Sequence, residues 1–328
     1  DKLWHVSNLY VNPVAPQLAK KISDASFGGR VFFANSGAEA NEAMIKFARR
    51  WGWKNGGRNE IICMNDSFHG RTLATLGATG RAKYREGFEP NVDGFVHVDY
   101  NSIDAIAAAY NENTVAIMME PVLGEGGIIP ADPEFLKEVR EFCNEKNILL
   151  LFDEVQTGMG RTGTMFAYQH SGVVPDVMST AKALANGYPL GAIVVRRDCN
   201  DILVPGTHAT TFGGNALGCA AALAVFDVFE EESILEHSAK ISKFIFARLE
   251  AMAAKYDFIK ELRGQGMMIG VALSIAPGPF VAAAREKGLL ILTAGEDALR
   301  LLPPLNLSEA EASEGLDILE SLFAQEAK

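Results

Sequence analysis

An acid and a lysine carry the chemistry that this sequence offers most directly. Asp153 stands in the apolar run ILLLFDE (148–154), and Lys182 follows the run DVMSTA (176–181). A carboxylate at the end of a buried strand has three familiar uses. The first, an ATPase acid, needs a GxxxxGK[ST] loop to hold phosphates, and the sequence contains none. The second is dinucleotide binding, for which Gly158-Met159-Gly160-Arg161-Thr162-Gly163 supplies a G-x-G-x-x-G match. That match is set back from the strand, whereas the fingerprint makes the strand-to-helix turn itself. The third use employs both residues. A lysine among small and apolar neighbours is costly to bury unless it is paired or chemically used. Lys182 can condense with an aldehyde while Asp153 pairs with a pyridinium nitrogen, so that the protonated ring draws electrons from a substrate carbanion.

Other strand ends are loaded too. Ser36 and Glu39 fit a capping box, and Gly37 and Ala38 behind the cap leave N–H groups free for an anion at the positive end of a helix. Ser67-Phe68-His69-Gly70-Arg71 offers an aromatic face and an arginine for a carboxylate. Glu120 is followed by Pro121-Val122-Leu123-Gly124-Glu125-Gly126-Gly127, which sets a second glutamate on a glycine-rich loop. Each has a plainer reading: a well-capped helix, a packed phenylalanine beside a surface arginine, a structural histidine at 69, an ordinary loop acid. None decides the function alone.

The elements that must position these residues recur along the chain. VFFAN (31–35), IICMN (61–65), FVHVDY (95–100), VAIMME (115–120), ILLLFDE, DVMSTA and AIVV (192–195) lack strict alternation, as strands buried on both faces do. Helical patterns lie between them, as in AEANEAMIKFARRWG and PEFLKEVREFCNEKN. The alternation predicts an α/β fold with a mostly parallel, seven-stranded sheet wrapped in helices. After the Ala-rich stretch 213–232 the pattern changes to helices and short strand-like runs. The chain is therefore divided into a large domain, 1–228, and a smaller C-terminal α+β domain, 229–328.

The formal charge of −11 argues against nucleic acid, which calls for a basic face. No stretch approaches the ~20 apolar residues of a membrane span, and the first residues resemble neither a signal nor a transit peptide. Cys63, Cys143, Cys199 and Cys219 are scattered without a CxxC pair, and no HExxH occurs, so free thiols in a reducing, cytoplasmic compartment are expected and no metal site is.

Eight stretches then run in a familiar order over nearly the whole chain: KLWHVSNLY (2–10), NSGAEANEAMIKFAR (35–49), FHGRTLATLGATG (68–80), EPVLGEGGI (120–128), LLLFDEVQTGMGRTG, AKALANGYPLGA (181–192), THATTFGGN (207–215) and LRLLPPL (299–305). Together they resemble the class-III pyridoxal-phosphate (PLP) aminotransferases of fold type I, most of all the branch that acts on acetylornithine. The resemblance implies a PLP enzyme moving the terminal amino group of N2-acetyl-L-ornithine to 2-oxoglutarate, in arginine biosynthesis. Ornithine δ-, succinylornithine and 4-aminobutyrate transamination are the neighbouring alternatives. A fold-retaining binding protein that has lost catalysis is the non-enzyme alternative, and the presence of Lys182 and Asp153 speaks against it.

Residue by residue, the resemblance implies that Lys182 is the Schiff-base lysine and the base that shuttles the proton. Asp153 meets the ring nitrogen, Val155 and Phe68 flank the ring, and Gln156 reaches its phenolic oxygen. Gly37 and Ala38 take the phosphate, and Glu154 lies at the same strand end as a cofactor contact. Thr211 reaches the phosphate held by the neighbouring subunit of a homodimer, and Thr210 sits beside the substrate there. Arg71 takes a carboxylate of acetylornithine or of 2-oxoglutarate and glutamate, while Arg300 is a second carboxylate site covered by Glu125. The family also has a segment of several dozen residues ahead of KLWHVSNLY, absent from this sequence. Leu123, Ala216 and Asn186 depart from the family's usual glutamine, proline and glycine, and Leu123 is near enough to Glu125 to bear on substrate preference.

Overall fold

The computed structural model describes residues 4–199 and 201–327, so Lys2 and Leu3 of the first motif lie outside it. All seven apolar runs become strands of one sheet: Arg30–Ala34 (β1), Glu60–Met64 (β2), Phe95–Val98 (β3), Thr114–Met119 (β4), Leu149–Asp153 (β5), Val177–Thr180 (β6) and Gly191–Val195 (β7). Their order across the sheet is β1-β7-β6-β5-β4-β2-β3. The pairings from β6 across to β3 are parallel, and β7 runs antiparallel to both of its neighbours.

The missing alternation has the expected cause. Leu150 and Phe152 of β5 face one apolar layer, with Ile117, Met119 and Met178, while Leu149 and Leu151 face another, with Ala116, Met118 and Val177. Both faces are covered, so every position favours an apolar side chain. Phe152 is fully buried, and its truncation to alanine would cost about 3–5 kcal/mol in transfer and cavity terms.

Helix Gly37–Lys54 covers the second layer with Ala40, Met44, Phe47 and Ala48. Its start is only half the expected capping box. Ser36 Oγ accepts from Glu39 N at 3.2 Å, but the Glu39 carboxylate reaches one residue further back, to Asn35 N at 2.8 Å. Helix Pro133–Lys146 begins with Asp132 Oδ1 accepting from Glu134 N and ends at Asn147 in the left-handed region.

A smaller antiparallel sheet follows, built from Ile259–Gln265 (β8), Met268–Leu273 (β9), Leu292–Ala294 (β10) and Ala298–Leu301 (β11) in the order β8-β9-β11-β10. Helices Ile234–Ala253 and Glu309–Glu326 close its core around Leu249, Leu299, Leu319 and Phe323. Two contacts lock it to the large sheet. Arg161 Nη1 donates to the carbonyls of Met267 and Pro303 at 3.0 and 2.6 Å. Ile128, in the loop that carries Glu125, is fully buried with Val122, Met268 and Ala294 and has φ 56°, an outlier for a β-branched residue.

Candidate active site

The carboxyl ends of β2, β4, β5 and β6, with the start of helix Gly37–Lys54, surround a cavity of about 170 Å³. Gly37, Ala38, Phe68, Asp153, Val155, Gln156 and Lys182 line it, as do Asn41, His69 and Glu120. This is the ligand position expected of an open α/β sheet.

Asp153 is held on every side. Its Oδ2 accepts from Asn41 Nδ2 at 2.6 Å and faces His69 Nδ1 at 2.8 Å, and its Oδ1 accepts from Val155 N at 3.0 Å. The acid takes Nδ1 of His69 as its donor, and the ring's Nε2 is buried and without a partner. Asn41 Oδ1 and Thr180 Oγ1 are likewise buried and unpaired. Neither Asn41 nor His69 was expected as a site residue, and His69 was read as structural. The only sequence signal was position: one lies in the first turns of the capped helix, the other next to Phe68.

Solvent reaches the Lys182 side chain through the cavity, yet protein surrounds it closely enough that lost hydration lowers its pKa, against the opposing pull of Asp153, Glu120 and Glu125. A lysine amine so tuned is a better proton acceptor at neutral pH than a free lysine. Glu120 ties two loops together, accepting from Phe68 N at 3.0 Å and Gly124 N at 3.2 Å, and burial pushes its carboxyl up to about 7.

A pyridinium phosphate fits this donor set. Gly37 and Ala38 open the helix, so their N–H groups have no acceptor within it, and both residues line the cavity. A Cβ at Gly37 would lie 2.7 Å from Val155 Cγ1, so that position admits backbone only. Asp153 offers an anchored carboxylate, and Phe68 and Val155 offer apolar surface.

Glu154 sits differently from its neighbour. Side chains alternate at a strand end, so Glu154 turns to the opposite face from Asp153. It accepts from Thr157 Oγ1, Ala167 N and Tyr168 N at 2.7, 2.7 and 2.8 Å, and it does not line the cavity. Burial raises its carboxyl to about 7.

The substrate candidates fall into two groups. Arg300 Nη1 lies 2.5 Å from Glu125 Oε1 and 3.5 Å from Gln156 Oε1, which places this pair beside the cavity. Glu125 is fixed at its backbone: its carbonyl accepts from Arg81 Nη1 at 2.9 Å and from Gly295 N at 2.8 Å. Arg71 stands exposed above Phe68. Thr210 and Thr211 are elsewhere, on a separate cleft of about 660 Å³ lined chiefly by residues 4–12, 205–206 and 208–216. Within this chain they do not join the Lys182 cavity.

Comparison with known proteins accords with this geometry. The Aminotransferase class-III family matches residues 1–323. The acetylornithine aminotransferase of Caldanaerobacter subterraneus is 47% identical over 99% of this chain and 83% of its own length. That of Methanocaldococcus jannaschii is also 47% identical, over 99% and 82%. Among solved structures, the ornithine aminotransferase of Toxoplasma gondii, with partial occupancy of PLP at its active site, superposes with a TM-score of 0.93 at 31% identity, covering 99% of this chain and 79% of that one. The N-acetylornithine aminotransferase of Stenotrophomonas maltophilia K279a gives a TM-score of 0.84 at 36% identity, covering 99% and 83%. With the lysine, the acid and the helix start gathered around one cavity, the chain belongs to the class-III aminotransferases, enzymes that use PLP.

Proposed function

We propose that this chain transfers the terminal amino group of N2-acetyl-L-ornithine to 2-oxoglutarate, giving N-acetylglutamate 5-semialdehyde and L-glutamate, a step of arginine biosynthesis. One observation carries the reading: Gln156 both lines the Asp153–Lys182 cavity and approaches Arg300, so the reacting centre and a carboxylate site with a removable cover adjoin. The names of the relatives described above support the choice of donor.

In this reading Gly37 and Ala38 hold the PLP phosphate, Val155 and Phe68 flank the ring, Gln156 meets its phenolic oxygen, and Asp153 holds its nitrogen protonated. PLP, when bound, supplies the electron sink and carries the amino group from donor to acceptor. Lys182 Nζ removes a proton from the donor's terminal carbon and returns one, a task its lowered pKa suits. Arg71 takes the α-carboxylate of acetylornithine or the distal carboxylate of 2-oxoglutarate. Glu125 covers Arg300 while the amine donor is bound and swings off when the α-carboxylate of glutamate or 2-oxoglutarate arrives. A planar guanidinium suits a bidentate carboxylate in a way lysine does not.

The same reading places a homodimer in the cytoplasm. Trp4, Leu9, Tyr10, Val11 and Phe212 expose apolar surface around the cleft that carries Thr210 and Thr211. A second subunit seated there would receive Thr211 at its PLP phosphate and Thr210 beside its substrate. The division into a PLP-holding part, 1–228, and a part supplying Arg300, 229–328, belongs to the same proposal. All four cysteines are free and buried, and no helix among the described residues is long and apolar enough to cross a membrane.

The test is the visible spectrum of the PLP-loaded protein. N-acetylornithine without acceptor should bleach the yellow band, and 2-oxoglutarate should restore it. Bleaching by ornithine or 4-aminobutyrate alone would keep the chemistry and replace the donor.

A further inference from the structure

A short 3₁₀ turn, Ala82–Tyr84, lies against the loop that carries Phe68 and Arg71. The Tyr84 ring meets Phe68 edge-on, with centroids 5.8 Å apart at 86°. The same ring lies 4.2 Å from Cζ of Arg71, while Phe68 lies 5.2 Å from it. Two aromatic rings thus cradle one guanidinium.

No carboxylate pairs with Arg71 among the described residues. The acids of neighbouring loops are engaged elsewhere: Asp66 faces Arg81, and Glu42 accepts from Thr72 Oγ1 and the amides of Ala74 and Thr75. Arg81 and Lys83 add two more cations 5.5 Å from the Tyr84 ring. Arg71 therefore keeps its whole charge and its set of N–H donors for a ligand.

An exposed arginine with no ion pair samples many rotamers, and binding an anion through it requires freezing them. Cation–π contact with a fixed ring freezes them beforehand without consuming the N–H edge, because the guanidinium lies over the ring and its donors remain in plane. The fixed ring is Tyr84. We propose that Tyr84 is the positioning residue for Arg71, holding its guanidinium ready for the substrate carboxylate and so favouring carboxylate-bearing donors over plain amines. The proposal rests on the reading of Arg71 as a carboxylate site. Tyr84 also joins the two carboxylate contacts physically, since Arg81, beside the same ring, donates to the Glu125 carbonyl.

The experiment uses holoenzyme and two donors, N-acetylornithine and N-acetylputrescine, the same molecule without the carboxylate; the second serves as substrate or as competitive inhibitor. Replacing Tyr84 by leucine should raise KM for N-acetylornithine about three- to tenfold, with kcat nearly kept and binding of N-acetylputrescine unchanged. Tyr84→Phe, which keeps the ring face, should restore the wild-type KM. If Tyr84→Leu does not fold, Tyr84→Gln is expected to show the same split. Equal weakening of both donors, or loss of PLP affinity alone, would reduce Tyr84 to packing for Phe68 and overturn the proposal. The variant Arg71→Gln separates the two layers. If it leaves KM for N-acetylornithine unchanged, the carboxylate reading of Arg71 fails. If it raises that KM while Tyr84→Leu does not, only the role of Tyr84 fails.

Discussion

Glu125 Oε1 lies 2.5 Å from Arg300 Nη1, and the two side chains differ in freedom: Arg300 is 8% exposed and Glu125 28%. The Glu125 carbonyl is held from two sides, by Arg81 and by Gly295, so the carboxylate can depart by side-chain rotation while the loop stays in place. The arginine is the more buried partner and the acid the more exposed one.

Glu125→Gln removes the charge that covers Arg300 while keeping the side chain's length. Arg300 then faces no opposing charge, whichever donor is bound. The ratio of kcat/KM for glutamate to that for N-acetylornithine should rise about tenfold, the scale of one charge-assisted hydrogen bond. Steady-state kinetics with each donor decides it, and an unchanged ratio removes Glu125 from substrate selection.

Asn41 and His69 both fix Asp153 Oδ2, at 2.6 and 2.8 Å. Asn41→Leu is nearly isosteric and deletes one of these contacts. It should weaken PLP binding or lower kcat by about tenfold or more, with helix content preserved. PLP titration followed by absorbance tests this. Wild-type affinity and rate would mean that Asp153 needs no help from helix Gly37–Lys54.

Glu154 titrates in the folded protein at about 7, because burial disfavours its charge. Between the ordinary carboxylate range and that value, the folded state holds a proton that the unfolded chain has released. Stability from this group is therefore complete in acid and is lost as pH rises through the window, by at most about 1.4 kcal/mol per unit. Urea unfolding of the wild type and of Glu154→Gln at pH ~5 and ~7.5 should show a flatter profile in the variant. Parallel profiles would show that its three hydrogen-bond donors keep the carboxylate ionised throughout.

The sequence made the seven strands legible because burial on both faces leaves an apolar signature that needs no partner to be read. Lys182 and Asp153 were legible for the opposite reason: polar groups among apolar ones are costly unless used. The side-chain direction of Glu154 was hidden by its adjacency to Asp153, because neighbours in sequence turn to opposite faces at a strand end. Asn41, His69 and Tyr84 were hidden because their meaning lies in partners 112, 84 and 13 positions away, at Asp153 and Arg71. The half-formed capping box at Ser36 shows the same limit on a smaller scale, since its motif does not say which amide Glu39 will choose.

Ile128 works as a bolt between the two sheets. Its side chain packs with Val122, Met268 and Ala294 in a socket that two glycines keep open: a Cβ built on Gly270 of β9 would stand 2.9 Å from Ile128 Cβ, and one on Gly264 of β8 3.0 Å from its Cγ2. Glu125 rides on the same short loop, three residues before the bolt. Gly270→Ala, directly opposite Arg300 in the β9–β11 pairing, should therefore press on the bolt from the strand that braces Arg300 and shift the balance between glutamate and N-acetylornithine. Kinetics of that variant would read donor choice as a property of how the two sheets are fastened.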